Sequence, residues 1–171
     1  MSEEKSNSQN SPAPIELNLK AVIDGEIISI EKVSDPIFSM KIMGDGYAIF
    51  PSGKKLYSPV SGKVKEIANT KHAVYLSTEN QLKILIHIGI DTIELKGDGF
   101  KTNIENGMLI NKGDLLVSFD PEYIQEKGYD PMISVVLLNQ KEKEIDLTIL
   151  PNPKATANET LALEAKIYPK K

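Results

Sequence analysis

The stretch HAVYLSTENQLKILIHIGI, residues 72–90, holds two runs rich in Val, Ile, Leu and Tyr on either side of a polar TENQ. β-branched and aromatic residues in runs of this length, broken by a polar cluster, predict a β-hairpin. With Glu79 and Asn80 as a two-residue loop, Thr78 faces Gln81 and, counting back along both strands, His72 faces His87. That register puts Val74 with Leu85 and Leu76 with Lys83 on the histidine face. It sends Ala73, Tyr75, Ile84 and Ile86 to the other. The chain has only two histidines. Both standing opposite each other on one sheet face favours a working pair over a core histidine that happens to be polar.

The rest of the chain continues in the same style. Short runs such as AVIDGEIISI, GYAIF, GKVKEIA, MLINKGDLLVSF, PMISVVLL and TLALEAKIY alternate with Gly, Pro, Asp and Asn clusters. This predicts an all-β antiparallel sandwich. DGEIISI from Asp24 and SGKVKEI from Ser61 share a spacing, and GDGY from Gly44 matches GDGF from Gly97. These repeats suggest a pseudo-duplicated motif with repeated turn chemistry. Helix signals are few. DPEYIQEKG offers Asp120 as N-cap, Pro121 at the first helical position and Gly128 as a stop. A second helical turn is expected over NQKEKEI, residues 139–145. Residues 1–14, rich in Ser, Glu, Asn and Pro, read as a disordered leader, and 15–171 as one domain.

Composition narrows the function classes. The net charge is −4 and the pI about 5.3, which leaves no basic footprint for nucleic acid or an anionic membrane. There is no cysteine, hence neither a thiolate zinc site nor a cysteine nucleophile, and the cytoplasm is the expected compartment. No apolar stretch approaches a membrane span, and direct membrane insertion is not expected. All 20 basic residues are lysine. No arginine of this chain can therefore grip a phosphoryl group with two parallel hydrogen bonds.

Two adjacent imidazoles can do two kinds of chemistry. One, neutral and with its attacking nitrogen bare, can take a phosphoryl or acyl group while the other donates a hydrogen bond to that group's oxygens. Alternatively the pair can ligate a metal. Catalytic zinc ordinarily takes three protein ligands, and no motif supplies the third, so neither metal nor cofactor is expected.

The segments KIMGDGYAIFPSGKKLYSPVSGKV and KHAVYLSTENQLKILIHIGIDTIELKGDGF closely resemble the glucose-type enzyme IIA domain of the bacterial phosphoenolpyruvate-dependent sugar phosphotransferase system. The likeness runs from about Ile15 to the C-terminus. It implies a barrel-sandwich hybrid and a phosphocarrier that takes a phosphoryl group from HPr and gives it to a sugar-specific enzyme IIB or IICB permease. By the same resemblance His87 is the phosphoacceptor, and His72 supports the phosphoryl group. Thr70 orients His72, and the Gly89 carbonyl holds Nδ1 of His87. Ile37, Phe38, Ile42, Met43 and Ile93 fall at positions of an apolar docking patch, with Asp35 and Asp91 at its acidic rim. The amphipathic N-terminal helix of some members has no counterpart here, nor has a glutamate that some use for zinc shared with a regulated partner.

Two other classes compete. SPVSGKVKEI, NKGDLLVSF and SMKI around Lys41 resemble a biotinyl or lipoyl carrier domain, with Lys41 as the attachment site. Ile42 stands where such a carrier has a second methionine, and the chain is about twice the expected length. A regulatory module that binds permeases or kinases according to phosphorylation state is the other reading, and it is compatible with phosphotransfer.

Overall fold

The computed structural model describes residues 13–170. Most of the leader assigned to residues 1–14 lies outside them. Among the described residues, fourteen strands alternate with two short helices and two single 3-10 turns. Strands β1 (Ile15–Lys20), β14 (Leu161–Pro169) and β12 (Lys143–Ile149) form one antiparallel sheet in the order β1-β14-β12. β4 (Lys55–Tyr57), β10 (Leu115–Phe119) and β8 (Phe100–Lys101) form a second. The main sheet has eight strands, ordered β13 (Asn152–Ala155), β2 (Gly25–Ser29), β3 (Gly44–Pro51), β11 (Asp130–Leu138), β7 (Lys83–Ile90), β6 (Ala73–Thr78), β5 (Gly62–Ile67) and β9 (Leu109–Ile110). The expected all-β sandwich is the fold observed. Among the described residues no helix is long and apolar enough to cross a membrane.

Sequence patterns follow position in the layers. β14 alternates, LALEAKIYP, and buries Leu163, Ala165 and Ile167 while Glu164 and Lys166 face out, as a strand with one wet face must. β7 and β11 at the centre of the main sheet are apolar almost throughout, because both of their faces are covered. The inner face joins the main core with Tyr47, Ile49, Val74, Leu76, Ile84, Ile86, Ile88, Ile133 and Val135. The outer face carries a smaller cluster of Ile30, Val33, Phe38, Ala48, Ala73, Leu85 and Val136. Three of its members come from the long connection between β2 and β3, which holds a 3-10 turn (Ile30–Lys32) and helix α1 (Pro36–Ser39).

The suspected duplication is real in topology. β2 and β5, which carry the matching DGEIISI and SGKVKEI segments, each lie one strand in from opposite edges of the main sheet. Each begins with a glycine, Gly25 or Gly62, on which a Cβ would overlap the neighbouring strand's carbonyl, that of Phe50 or Ser77. The two Gly-Asp-Gly clusters differ. Gly97 and Gly99 sit in a turn at φ +89° and +88°, whereas Gly44 and Gly46 begin strand β3 and serve close strand approach. Helix α2 (Pro121–Glu126) starts where expected, with the Asp120 carboxylate accepting from Glu122 N–H at 3.0 Å. NQKEKEI is not helical. A tight turn at Lys141 and Glu142 leads straight into β12, whose alternation KEIDLTI pairs it with β14.

The hairpin of residues 73–90 corrects the predicted register by one residue. Ala73, not His72, lies opposite His87, and Val74 pairs with Ile86, Tyr75 with Leu85 and Leu76 with Ile84. The loop has three residues, Glu79 to Gln81. Thr78 N–H donates to Leu82 O at 2.9 Å, and Gln81 takes a left-handed φ of +65°. A three-residue hairpin loop needs one residue in this conformation, usually Gly or Asn. Gln81 gives no such signal, so counting from a two-residue loop slipped the pairs. Val74, Leu76, Ile84 and Ile86 consequently share the main-core face, and Ala73, Tyr75, Leu85 and His87 the other.

Gly46 pairs with Val136 in the middle of the main sheet, and a Cβ there would overlap the Val135 carbonyl oxygen and stand 2.9 Å from Val136 Cα. Gly46→Ala should therefore lower stability by about 1–3 kcal/mol, the range for overpacking a close-packed core. Urea unfolding followed by circular dichroism checks this; a midpoint equal to that of the parent chain would show that the strands can separate freely.

Candidate functional site

Cross-strand partners share a sheet face, so the register defines a row running Ile28, Ala48, Ser134, His87, Ala73 across β2, β3, β11, β7 and β6. His87 is flanked by Ser134 on one side and Ala73 on the other, two small side chains. This leaves space above the sheet beside the imidazole. Phe38 from α1 fills part of it, its ring 5.1 Å from that of His87.

His72 enters from the opposite side. It is the last residue of the loop joining β5 to β6, just past Lys71, whose φ is +62°, and its own carbonyl accepts from Ile88 N–H at 2.7 Å. Because it precedes the strand, it is free of strict alternation, and its ring meets that of His87 edge-on at 5.0 Å although the backbone pairs are offset. The predicted pair thus exists by a different route. Thr70, in the same loop, places Oγ1 2.6 Å from Nδ1 of His72.

Hydrogen bonding fixes what each ring can do. His87 Nδ1 lies 2.8 Å from the Gly89 carbonyl oxygen. A carbonyl only accepts, so Nδ1 carries the proton and Nε2 of the neutral ring is bare. Gly89 can turn its carbonyl back because it adopts φ +81°, and a Cβ there would overlap the methyl of Thr92. For His72, a Thr70 hydroxyl that donates to Nδ1 leaves the proton on Nε2, which is then a hydrogen-bond donor.

Both rings are neutral at pH 7. Burial, and secondarily the charge of His87, push His72 down to about 4. Burial also lowers His87, while the Gly89 carbonyl and the carboxylates of Asp35 and Asp91 pull the other way. Those three groups favour positive charge on this ring, which matters once Nε2 forms a bond.

Asp35 caps α1, accepting from Ile37 N–H at 3.0 Å, and Asp91 opens the 3-10 turn Thr92–Leu95 at φ +60°. The two segments that bring these carboxylates to His87 also carry exposed apolar side chains: Ile37 at 46 %, Ile42 at 62 % and Ile93 at 52 % exposure. Met43 is half-buried. Phe38 is only 4 % exposed, so it walls the His87 site instead of presenting a docking face. Sequence reasoning passed over Met40, the most exposed apolar residue of this segment at 71 %, and Ser134, buried beside His87. Met40 stands in the same SMKIM run as Ile42 and Met43 and was legible there. Ser134 became visible only with the β7–β11 register.

Lys41, the attachment site of the carrier reading, is partly exposed and paired with two carboxylates. Its Nζ lies 3.2 Å from Glu31 and 3.6 Å from Asp45, contacts that hold its pKa above the ordinary lysine value. Among the described residues no group of three or more His, Cys, Asp or Glu is placed to hold a metal ion.

Residues 17–143 match the family described as phosphoenolpyruvate-dependent sugar phosphotransferase system, EIIA 1. The chain belongs to this family. Among curated EIIA proteins it is 43 % identical over 126 residues to the PTS system glucose-specific EIIA component of Oceanobacillus iheyensis, covering 74 % of this chain and 76 % of that one. With the component of the same name from Haemophilus influenzae it shares 35 % over 152 residues, 89 % of this chain and 90 % of that one. The solved glucose permease IIA from Mycoplasma capricolum superposes with a TM-score of 0.80 at 31 % identity, covering 87 % of this chain and 96 % of that one. The relatives that the chain matches are EIIA components, and no comparison favours the carrier-lysine reading.

The His72 shift also makes stability depend on pH. An unfolded histidine titrates near 6.5, whereas folded His72 resists protonation until about 4. Between these values the unfolded chain binds more protons, so stability falls as pH drops through this window, by on the order of 2–3 kcal/mol. His72→Gln should lose that component. Its stability relative to the parent should improve steadily from pH 7 to pH 4 in urea titrations, and a constant difference would contradict the assignment.

Proposed function

We propose that this EIIA chain is a phosphocarrier of sugar uptake that takes a phosphoryl group from phospho-HPr onto Nε2 of His87 and passes it to a sugar-specific enzyme IIB. The observation that carries this reading is the 2.8 Å contact of His87 Nδ1 with the Gly89 carbonyl, which leaves Nε2 unprotonated. In the transfer, the Nε2 lone pair forms a bond to phosphorus as the donor's phosphorus–nitrogen bond breaks, and the donor imidazole departs with that electron pair. Nδ1 keeps its proton, so the phosphorylated ring is cationic. The Gly89 carbonyl and the Asp35 and Asp91 carboxylates stabilise that cation.

His72 donates from Nε2 to a phosphoryl oxygen, with Thr70 holding its other nitrogen. Its low basicity keeps it a neutral donor that stabilises the oxygens without binding them too firmly for onward transfer. Ile37, Met40, Ile42 and Ile93 supply apolar contact to both partner proteins, and the acidic rim meets a partner's cationic group, with any guanidinium coming from the partner because this chain has no arginine. Transfer between two histidines needs chiefly alignment and exclusion of water, which such a contact provides. The curated relatives above are named for glucose, which makes glucose the first sugar to test.

Phosphoenolpyruvate, enzyme I and HPr should place an acid-labile phosphate on the parent chain and none on His87→Ala. His72→Gln should accept phosphate but pass it to an enzyme IIB domain at least tenfold more slowly. Stoichiometric labelling of His87→Ala would remove the nucleophile assignment, and normal onward transfer from His72→Gln the role given to His72.

A further inference from the structure

Thr92 is completely buried, and no step above uses it. Its hydroxyl donates to the carbonyl of Ile88, the residue before Gly89. Its methyl occupies the space into which a Cβ on Gly89 would project, which leaves no room for a side chain at that position. On its other side, Ile88 donates its N–H to the carbonyl of His72 at 2.7 Å. The peptide joining Ile88 to Gly89 is thus gripped by Thr92 just where the strand leaves its regular path. At this point β11 also breaks register, between Asp130 and Ile133, so the sheet ladder alone does not set the orientation of Gly89.

We infer that Thr92 is a positioning residue for phosphoryl transfer: its hydroxyl, by holding the Ile88 carbonyl, directs the next carbonyl, that of Gly89, at Nδ1 of His87 and so keeps Nε2 bare. The peptide planes on the two sides of Gly89 turn against each other through the Gly89 φ and ψ angles. Anchoring the first at Thr92 restricts the second, and a glycine at φ +81° has no side chain to do this for itself. Without the anchor, the Gly89 carbonyl swings away part of the time and the proton redistributes between the two ring nitrogens. A ring with the proton on Nε2 cannot attack phosphorus. Thr92 touches neither the imidazole's reacting nitrogen nor the transferred group in this arrangement, so its effect passes through Gly89.

The catalytic consequence rests on the reading of His87 as phosphoacceptor; the tautomer consequence does not. The test is nitrogen-15 NMR of the imidazoles at pH 7.5 in the full-length parent, Thr92→Val and Thr92→Ser, with phosphorylation rates measured on the same samples. The parent and Thr92→Ser should show His87 protonated on Nδ1. Thr92→Val, which keeps the shape and loses the hydroxyl, should show a mixture of both tautomers. Its acceptance rate at saturating phospho-HPr should fall about tenfold or more, with the HPr concentration for half-maximal rate within twofold of the parent. Thr92→Ser should keep its rate within about threefold.

A Thr92→Val protein with the parental tautomer overturns the inference. So does a Thr92→Ser protein that loses that tautomer, since the methyl would then be the determinant; this variant decides the matter should Thr92→Val fail to fold. If Thr92→Val shifts the tautomer while His87→Ala still accepts phosphate, the positioning role stands for the ring and the phosphoacceptor reading falls.

Discussion

One hydrogen bond governs the chemistry of this molecule, the contact between Nδ1 of His87 and the carbonyl two residues along its own strand. It decides which nitrogen carries the proton, and it favours positive charge on the same ring. A regular strand cannot make it, because successive carbonyls in a ladder point to neighbouring strands and not back to a side chain. The strand must therefore end its regularity at Gly89, where the left-handed φ, the buried Thr92 and the broken register with β11 coincide. The surrounding architecture follows from keeping that irregular point dry and fixed: eight paired strands, a core on one face, and a lid of apolar residues on the other.

Burial and charge act against each other at His87, and the balance suits a carrier. Removing the ring from water keeps it neutral and able to attack. The carbonyl and the two carboxylates act the other way and favour a charged ring, which under the proposed function is the ring of the phosphorylated product. His72 has no such acidic neighbours to oppose its burial, which pushes it down to about 4. Two identical side chains 5.0 Å apart thereby stand in different electrostatic surroundings, set by what faces each of them.

Much of this was legible in the sequence. The alternation of β14, the apolar runs of β7 and β11 and the Asp-Pro start of α2 predicted their elements because each depends on local chemistry. The hairpin register was not legible: Gln81 in a left-handed conformation carries no signal, and a one-residue difference in loop length moves every pair. His72 still met His87 because its position is set by the β5–β6 loop, outside the ladder. Residues 139–145 misled because their charged composition suits a helical turn equally well, and only the pairing of Lys143, Glu144 and Ile145 with β14 shows the last three as strand, after a turn at Lys141 and Glu142. Phe38 and Ile37 are adjacent apolar residues in the sequence, and the short helix turns one in and the other out.

The two hairpin connections that converge on His87 differ in kind. The one between β5 and β6 is short and brings Thr70 and His72; the one between β2 and β3 is long and brings Asp35, Phe38 and the exposed Ile37, Met40 and Ile42. Under the proposed function, reactivity and recognition reside in separate stretches of chain hung from opposite halves of one sheet. Substitutions at the outward positions of the long connection can retune which proteins are met while leaving the reacting nitrogen untouched. The contact surface and the transfer chemistry would then be free to vary independently of each other.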